Sequence, residues 1–162
     1  MKYKRILAMI LAVASCLSLA VSASAASTAR KATDFRDFDK SAWYAEAVSA
    51  AVDNGLLYGK SSTIIDPNGD MTRAEMAAII NRSFGCYKQA DISQYKDVAK
   101  SKWYYKDVAL AVQMGTYNGR SNTAMAPDAP ITRQEAMTVV ARALELDYDS
   151  YSKTELAQFS DV

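Results

Sequence analysis

The chain has 162 residues, half of them apolar and 23% charged, with 19 basic residues, 18 acidic residues and no histidine. That composition fits one ordinary domain or two small units, and it excludes a disordered or low-complexity protein. A net charge near zero offers no bulk attraction to nucleic acid or to an anionic membrane, and the absence of histidine removes the commonest general base.

Residues 1–25 read as a secretory signal peptide. Lys2, Lys4 and Arg5 make a positive start, the run from Ile6 to Val21 is apolar and uncharged, and Ala23-Ser24-Ala25 matches the small-x-small rule for cleavage. Loss of the three cations would leave 16 basic against 18 acidic residues, a net charge of −2. Val13-Ala14-Ser15-Cys16 also fits a lipoprotein signal with Cys16 acylated, but the apolar run continues past Cys16 to Val21, which favours ordinary cleavage. Cys86 then has no partner for an internal disulfide, and an inert, half-buried thiol is its expected role. No second apolar run is long enough to span a bilayer, so the processed chain is expected to be secreted and soluble or surface-attached.

Residues 26–34 form a polar leader, expected to be flexible. The first folded segment, 35–85, opens at Phe35-Arg36-Asp37-Phe38. Ser41 is placed to cap a helix running through Asn54, with Tyr44, Ala47, Val48, Ala51 and Val52 on one face and Gly55 as its stop. A loop over 56–71 carries Gly59, Pro67 and Gly69, and a second helix is expected from Arg73 to about Phe84, ended by Gly85. A polar linker, 86–94, leads to the next segment, 95–146, which opens at Tyr95-Lys96-Asp97-Val98. Its first helix is expected to bury Tyr104, Val108, Ala111 and Val112 and to stop at Gly115. After a loop over 116–131, its second helix should run from Arg133 to about Leu146. Another polar linker, 147–158, precedes Phe159-Ser160-Asp161-Val162, the opening of a third segment.

The two segments superpose without a gap at a spacing of 60, and about a third of the aligned positions are identical. Trp43 falls on Trp103, Gly59 on Gly119, Pro67 on Pro127, Arg73 on Arg133 and Glu75 on Glu135. An internal repeat of this length decides the architecture: mainly α, tandem helix-loop-helix units. Thr72-Arg73-Ala74-Glu75 and Thr132-Arg133-Gln134-Glu135 each form a capping box, in which Thr72 or Thr132 caps the helix and Glu75 or Glu135 reaches back to the cap N–H.

Packing explains several repeated positions, including the helix-stop glycines and the apolar faces. Trp43 and Trp103 are read first as half-buried packing residues, with stacking on a ligand as the alternative. Arg73 and Arg133 are left over, because neither a core nor a cap needs a cation in the first turn. A helix N-terminus attracts anions and a guanidinium grips a carboxylate through two parallel bonds. The loop pieces Gly59-Lys60-Ser61 and Gly119-Arg120-Ser121 place a cation and a hydroxyl directly after a glycine that would let a ligand approach the backbone. Together these residues point to a small polar anion at the start of each capped helix. Asp37 and Asp97 suit a structural or ligand-contacting role better than paired catalysis.

Two other motifs fail on inspection. Gly55 to Ser61 is one residue short of a phosphate loop and follows no strand, and Asp66, Asn68 and Asp70 lack the turn glycine and closing glutamate of a calcium loop. With no metal-ligand cluster, no cofactor motif and no nucleophile–base pair, the chain is expected to be neither metal-binding nor an enzyme.

The combined pattern resembles the S-layer homology motif of bacterial envelope proteins: the Asp37 and Asp97 openers, the Trp43 and Trp103 helices, the Gly55/Gly59 and Gly115/Gly119 pairs, Pro67 and Pro127, and Thr72 to Glu75 with Thr132 to Glu135. The resemblance implies non-covalent binding to secondary cell-wall polysaccharide attached to peptidoglycan, often through pyruvate-bearing sugars. It also implies a helical module in which three motifs make a pseudo-threefold bundle with ligand grooves between neighbours, and it gives Arg73 and Arg133 contact with the acidic substituent. Here the third motif is represented only by 159–162, so a partial bundle is expected, open on one face, with copies of itself or other envelope proteins as candidate partners. Two alternatives stand beside this reading: the N-terminal scaffold of a longer surface enzyme or S-layer subunit, and a structural repeat that pairs with other proteins.

Overall fold

The computed structural model describes residues 30–146, so the signal peptide, residues 26–29, the linker 147–158 and the opening of a third motif at 159–162 lie outside the described residues. Four helices make up the two repeats: α1 (Ala45–Asp53) and α2 (Arg73–Phe84) in the first, α3 (Tyr105–Gln113) and α4 (Arg133–Ala143) in the second. A 3-10 turn at Ala32–Asp34 precedes them, and no strand occurs among the described residues.

The capping boxes form as the residues require. Thr72 Oγ1 accepts from the Glu75 N–H at 3.2 Å and Glu75 accepts from the Thr72 N–H at 2.8 Å; in the second repeat the matching distances are 3.2 and 2.9 Å. Helix α2 stops at Gly85, whose φ of +66° is cheap only without a side chain. Two boundaries differ from expectation. Helix α1 starts later because the Ser41 hydroxyl donates to Asp39 at 2.7 Å and caps nothing; Tyr44 holds the cap position without a side-chain bond. Helix α4 ends at Ala143, before a left-handed Glu145 at φ +52°.

The openers fix the loops. Asp37 accepts the N–H groups of Ile65 and Asp66 at 3.0 and 2.8 Å, and Asp97 accepts those of Met125 and Ala126 at 3.0 and 2.7 Å. Two N–H bonds to one carboxylate hold Asp66 and Ala126 in the left-handed region, at φ +56° and +54°.

The main core spans both repeats. It joins Ala74, Ala77 and Ile80 of α2 to Val108, Ala109 and Ala111 of α3 around Tyr95, Tyr104 and Met125. A smaller cluster, Ala32, Phe35, Val52 and Ile65, serves the first repeat alone. Because α2 packs on α3, equivalent positions are buried unequally. Ala109, Leu110 and Ala111 are buried, whereas their counterparts Ser49 and Ala51 on α1 are half-buried and Ala50 is exposed. On the other partner, Arg73, Ala74 and Ala77 are buried, while Arg133, Gln134 and Met137 on α4 are exposed.

Candidate functional site

The two arginines that occupy identical sequence positions do different things. Arg73 is 5% exposed. Its Nε donates to the Met125 carbonyl at 3.0 Å, one terminal nitrogen donates to Glu135 Oε1 at 3.0 Å, and the other donates to the Asn118 carbonyl at 3.0 Å. Its carbon centre lies 5.2 Å from the ring centroid of Tyr117, whose hydroxyl is pushed well above its ordinary range chiefly by burial. The backbone follows the side chain: the N–H of Arg73 donates to Ala129 O at 3.0 Å and that of Ala74 donates to Pro127 O at 2.9 Å. The start of α2 is therefore seated in the second repeat, and the guanidinium is engaged there by protein groups. The carboxylate beside this first copy of the arginine is Glu135 of the second repeat.

Arg133 is exposed, and among the described residues neither its guanidinium nor the backbone N–H groups of Arg133 and Gln134 find a partner. This helix start combines open N–H groups, the positive end of the helix dipole and a bidentate cation. It meets the chemical requirement for a carboxylate that the sequence pattern set.

Each capping glutamate also carries an ion pair. Lys60 Nζ lies 2.8 Å from Glu75 Oε1, and Arg120 Nε lies 3.1 Å from Glu135 Oε1. Hydrogen bonds from Arg120 hold the Glu135 carboxyl at about 2, helped by the Thr132 N–H and by the charge of Arg73 against the effect of burial. Burial alone would raise Glu75, but the hydrogen bonds from Lys60 and Thr72 outweigh it and the net direction is down. Lys60 and Arg120 are thus neutralised within their own repeats.

The remaining loop residues are used internally. Ser61 Oγ accepts the N–H groups of Thr63 and Ile64 at 3.2 and 3.1 Å, and Ser121 Oγ accepts those of Thr123 and Ala124 at 3.3 and 3.1 Å. A side chain on Gly59 would come within 2.5 Å of Phe35, and one on Gly119 within 2.5 Å of Tyr95. The close approach expected of a ligand at these glycines is made by the aromatic opener of the same repeat.

The tryptophans reverse the packing expectation. Trp43 is 94% exposed and Trp103 is 59% exposed, each edge-on to the following tyrosine at 5.9 and 5.4 Å between ring centroids. Tyr104 takes the buried place, held by a 2.9 Å bond to Asp128, Tyr44 is half-buried, and both indoles are exposed. Trp103 forms one wall of a cavity of about 520 Å³ whose other walls belong to the first repeat, among them Tyr58, Lys60, Glu75 and Arg82. Arg82 was not singled out in the sequence. It stacks 4.2 Å over Tyr58 and donates to Leu56 O at 2.9 Å. Its identity with Arg142 in the repeat alignment was the available signal. Among the described residues no cluster of His, Cys, Asp or Glu could hold a metal ion, and no helix is long and apolar enough to cross a membrane.

Comparison with known proteins bears on what this surface serves. The family model for the S-layer homology domain matches residues 34–77 and 94–137. A surface-layer 125 kDa protein of Lysinibacillus sphaericus is 33% identical over 150 residues, covering 92% of this chain and 12% of that protein. An endoglucanase of Bacillus sp. (strain KSM-635) is 27% identical over 90% of this chain and 16% of its own length. A cellulosome-anchoring protein of Acetivibrio thermocellus is 28% identical over 68% of this chain and 26% of its own length. The chain therefore spans about a quarter or less of the length of these relatives.

Proposed function

The chain belongs to the S-layer homology domain family, and from that premise we propose that it is a non-catalytic cell-wall anchoring module. It binds secondary cell-wall polysaccharide linked to peptidoglycan, non-covalently and at the cell surface, and it recognises a pyruvate-type carboxylate on the sugar. Similar segments occur in a surface-layer protein, an endoglucanase and a cellulosome-anchoring protein, in each as a minor part of its length. That distribution fits a portable anchor better than any one activity, and it leaves open a role as the scaffold of a longer surface enzyme or S-layer subunit.

The observation that carries the reading is Arg133, exposed at a helix start whose first N–H groups have no partner among the described residues. A carboxylate there takes two bonds from the guanidinium and lies in the favourable field of the helix N-terminus. The outward-facing indoles of Trp43 and Trp103 offer apolar faces for sugar rings, in keeping with the enrichment of tryptophan at binding hot spots. Arg73 takes no part in ligand contact in this reading, because it holds the repeats together.

The test is co-sedimentation with purified walls before and after chemical removal of pyruvate. Binding should be retained on native walls and lost on stripped ones. Equal binding to both would refute recognition of the acidic substituent.

A further inference from the structure

A cavity of about 420 Å³ lies between the end of α2 and the first turns of α3, and its walls include Asn81, Arg82, Cys86, Lys106, Asp107 and Leu110. Both helices belong to the contact between the first and second repeats. Cys86 is half-buried and a free thiol. Its N–H donates to the Asn81 carbonyl at 3.1 Å, and its Sγ donates to the Leu110 carbonyl at 3.5 Å, which holds the sulfur against the α3 wall.

Beside the thiol, Asn81 is only half satisfied. It is 3% exposed and lines the same cavity. Its Nδ2 donates to Asp107 O at 2.8 Å and to Asp107 Oδ1 at 3.3 Å, which orients the amide, and its Oδ1 is buried with no partner. A buried acceptor without a donor is costly, so a ligand N–H that reaches it recovers free energy. The second repeat has Ala141 and Leu146 at the positions of Asn81 and Cys86. The repeat itself therefore requires neither the amide nor the thiol. Lys106 adds an exposed cation with no side-chain partner among the described residues.

We propose that Cys86 is a site of S-thiolation by a small amino-acid thiol, one that carries both an ammonium and a carboxylate. The carboxylate pairs with Lys106, and the ammonium is received by Asn81 Oδ1 and the Asp107 carboxylate. The thiolate of Cys86 attacks one sulfur of the symmetrical disulfide of that thiol. A bond forms between Cys86 Sγ and that sulfur, the original S–S bond breaks, and the leaving thiolate takes up a proton equivalent to the one Cys86 lost. The oxidising equivalent arrives with the disulfide, a species that persists outside the cell. The adduct replaces the S–H bond to Leu110 and blocks the unpaired thiol against bonding to other chains. The site stands apart from Arg133 and does not rest on the anchoring reading.

The experiment treats the secreted chain with three disulfides: cystine, cystamine, which lacks the carboxylates, and dithiodipropionate, which lacks the ammonium groups. Adducts are followed by intact mass and placed by peptide mapping. Each rate is divided by that of the urea-unfolded chain, which cancels differences between the leaving thiols. Cystine should lead cystamine by about threefold, the scale of an exposed ion pair, and dithiodipropionate by about tenfold, the scale of a hydrogen bond to a charged group. Lys106→Gln should remove only the lead over cystamine. Asp107→Asn and Asn81→Ala should each reduce the lead over dithiodipropionate, and near-ultraviolet circular dichroism checks that each variant is folded. Cys86→Ser should take no adduct in the folded repeats. A native chain that takes no adduct at Cys86, corrected rates equal for the three disulfides, or selectivity that all of these charge and amide variants retain would overturn the proposal.

Discussion

Replacing Arg73 by alanine should destabilise the fold, and the same change at Arg133 should not. Arg73 is 5% exposed, and its guanidinium makes three hydrogen bonds of 3.0 Å, one of them to a carboxylate. Removing one partner of a buried charged pair costs about 3–5 kcal/mol. Two features place this case near the lower end. Glu135 keeps Arg120, and about a quarter of its side chain is exposed. The estimate is therefore about 3 kcal/mol, against a total stability of about 5–15 kcal/mol for a domain of this size. It corresponds to a fall in Tm on the order of 10 °C. Thermal and urea unfolding followed by near-ultraviolet circular dichroism, which reads the tyrosines and tryptophans, measures it. Arg133→Ala, an exposed surface change, should stay within about 0.5 kcal/mol of wild type. Equal losses for the two variants, or a loss below about 1 kcal/mol for Arg73→Ala, would refute the assignment of Arg73 as the clamp between repeats.

Further expectations follow from other contacts. Glu135 titrates at about 2 in the folded chain and near 4.3 when unfolded, so the folded state binds fewer protons. Stability from this group is complete above about pH 5 and is lost as the pH falls from about 4.5 towards 2. Glu135→Gln should flatten that part of an acid titration and lower stability at neutral pH. Gly59→Ala would force a methyl against Phe35 and Ile64 O in a backbone at φ +81°; overpacking costs about 1–3 kcal/mol, visible as a lower urea midpoint. Trp103→Ala should leave the unfolding midpoint nearly unchanged, because the indole is 59% exposed, and should weaken wall binding about tenfold in co-sedimentation.

Much of the fold could be read from the residues because the signals were local. The Thr72–Glu75 and Thr132–Glu135 capping boxes and the left-handed stop at Gly85 each depend on residues close in sequence, and each is found as expected. Ser41 misled because a nearby acceptor, Asp39, competes for its hydroxyl. The site was less legible because its meaning depends on what lies opposite. Arg73 and Arg133 are indistinguishable by local sequence, and only the packing of α2 on the second repeat separates a clamp from an exposed cation. Trp43 and Trp103 read first as half-buried packing residues, with ligand stacking as the alternative, but both indoles are exposed and it is the adjacent Tyr104 that is buried. Lys60, Ser61, Arg120 and Ser121 looked unexplained because their partners, a capping glutamate and loop N–H groups, are met only once the loop closes.

The affinity of wild-type and Arg133→Ala chains for purified pyruvylated wall polysaccharide tests the division of labour between the two arginines most directly. Losing a charged hydrogen-bonding group worth about 1.5–3 kcal/mol should raise the Kd by roughly tenfold to a hundredfold. An unchanged Kd for Arg133→Ala would contradict the account.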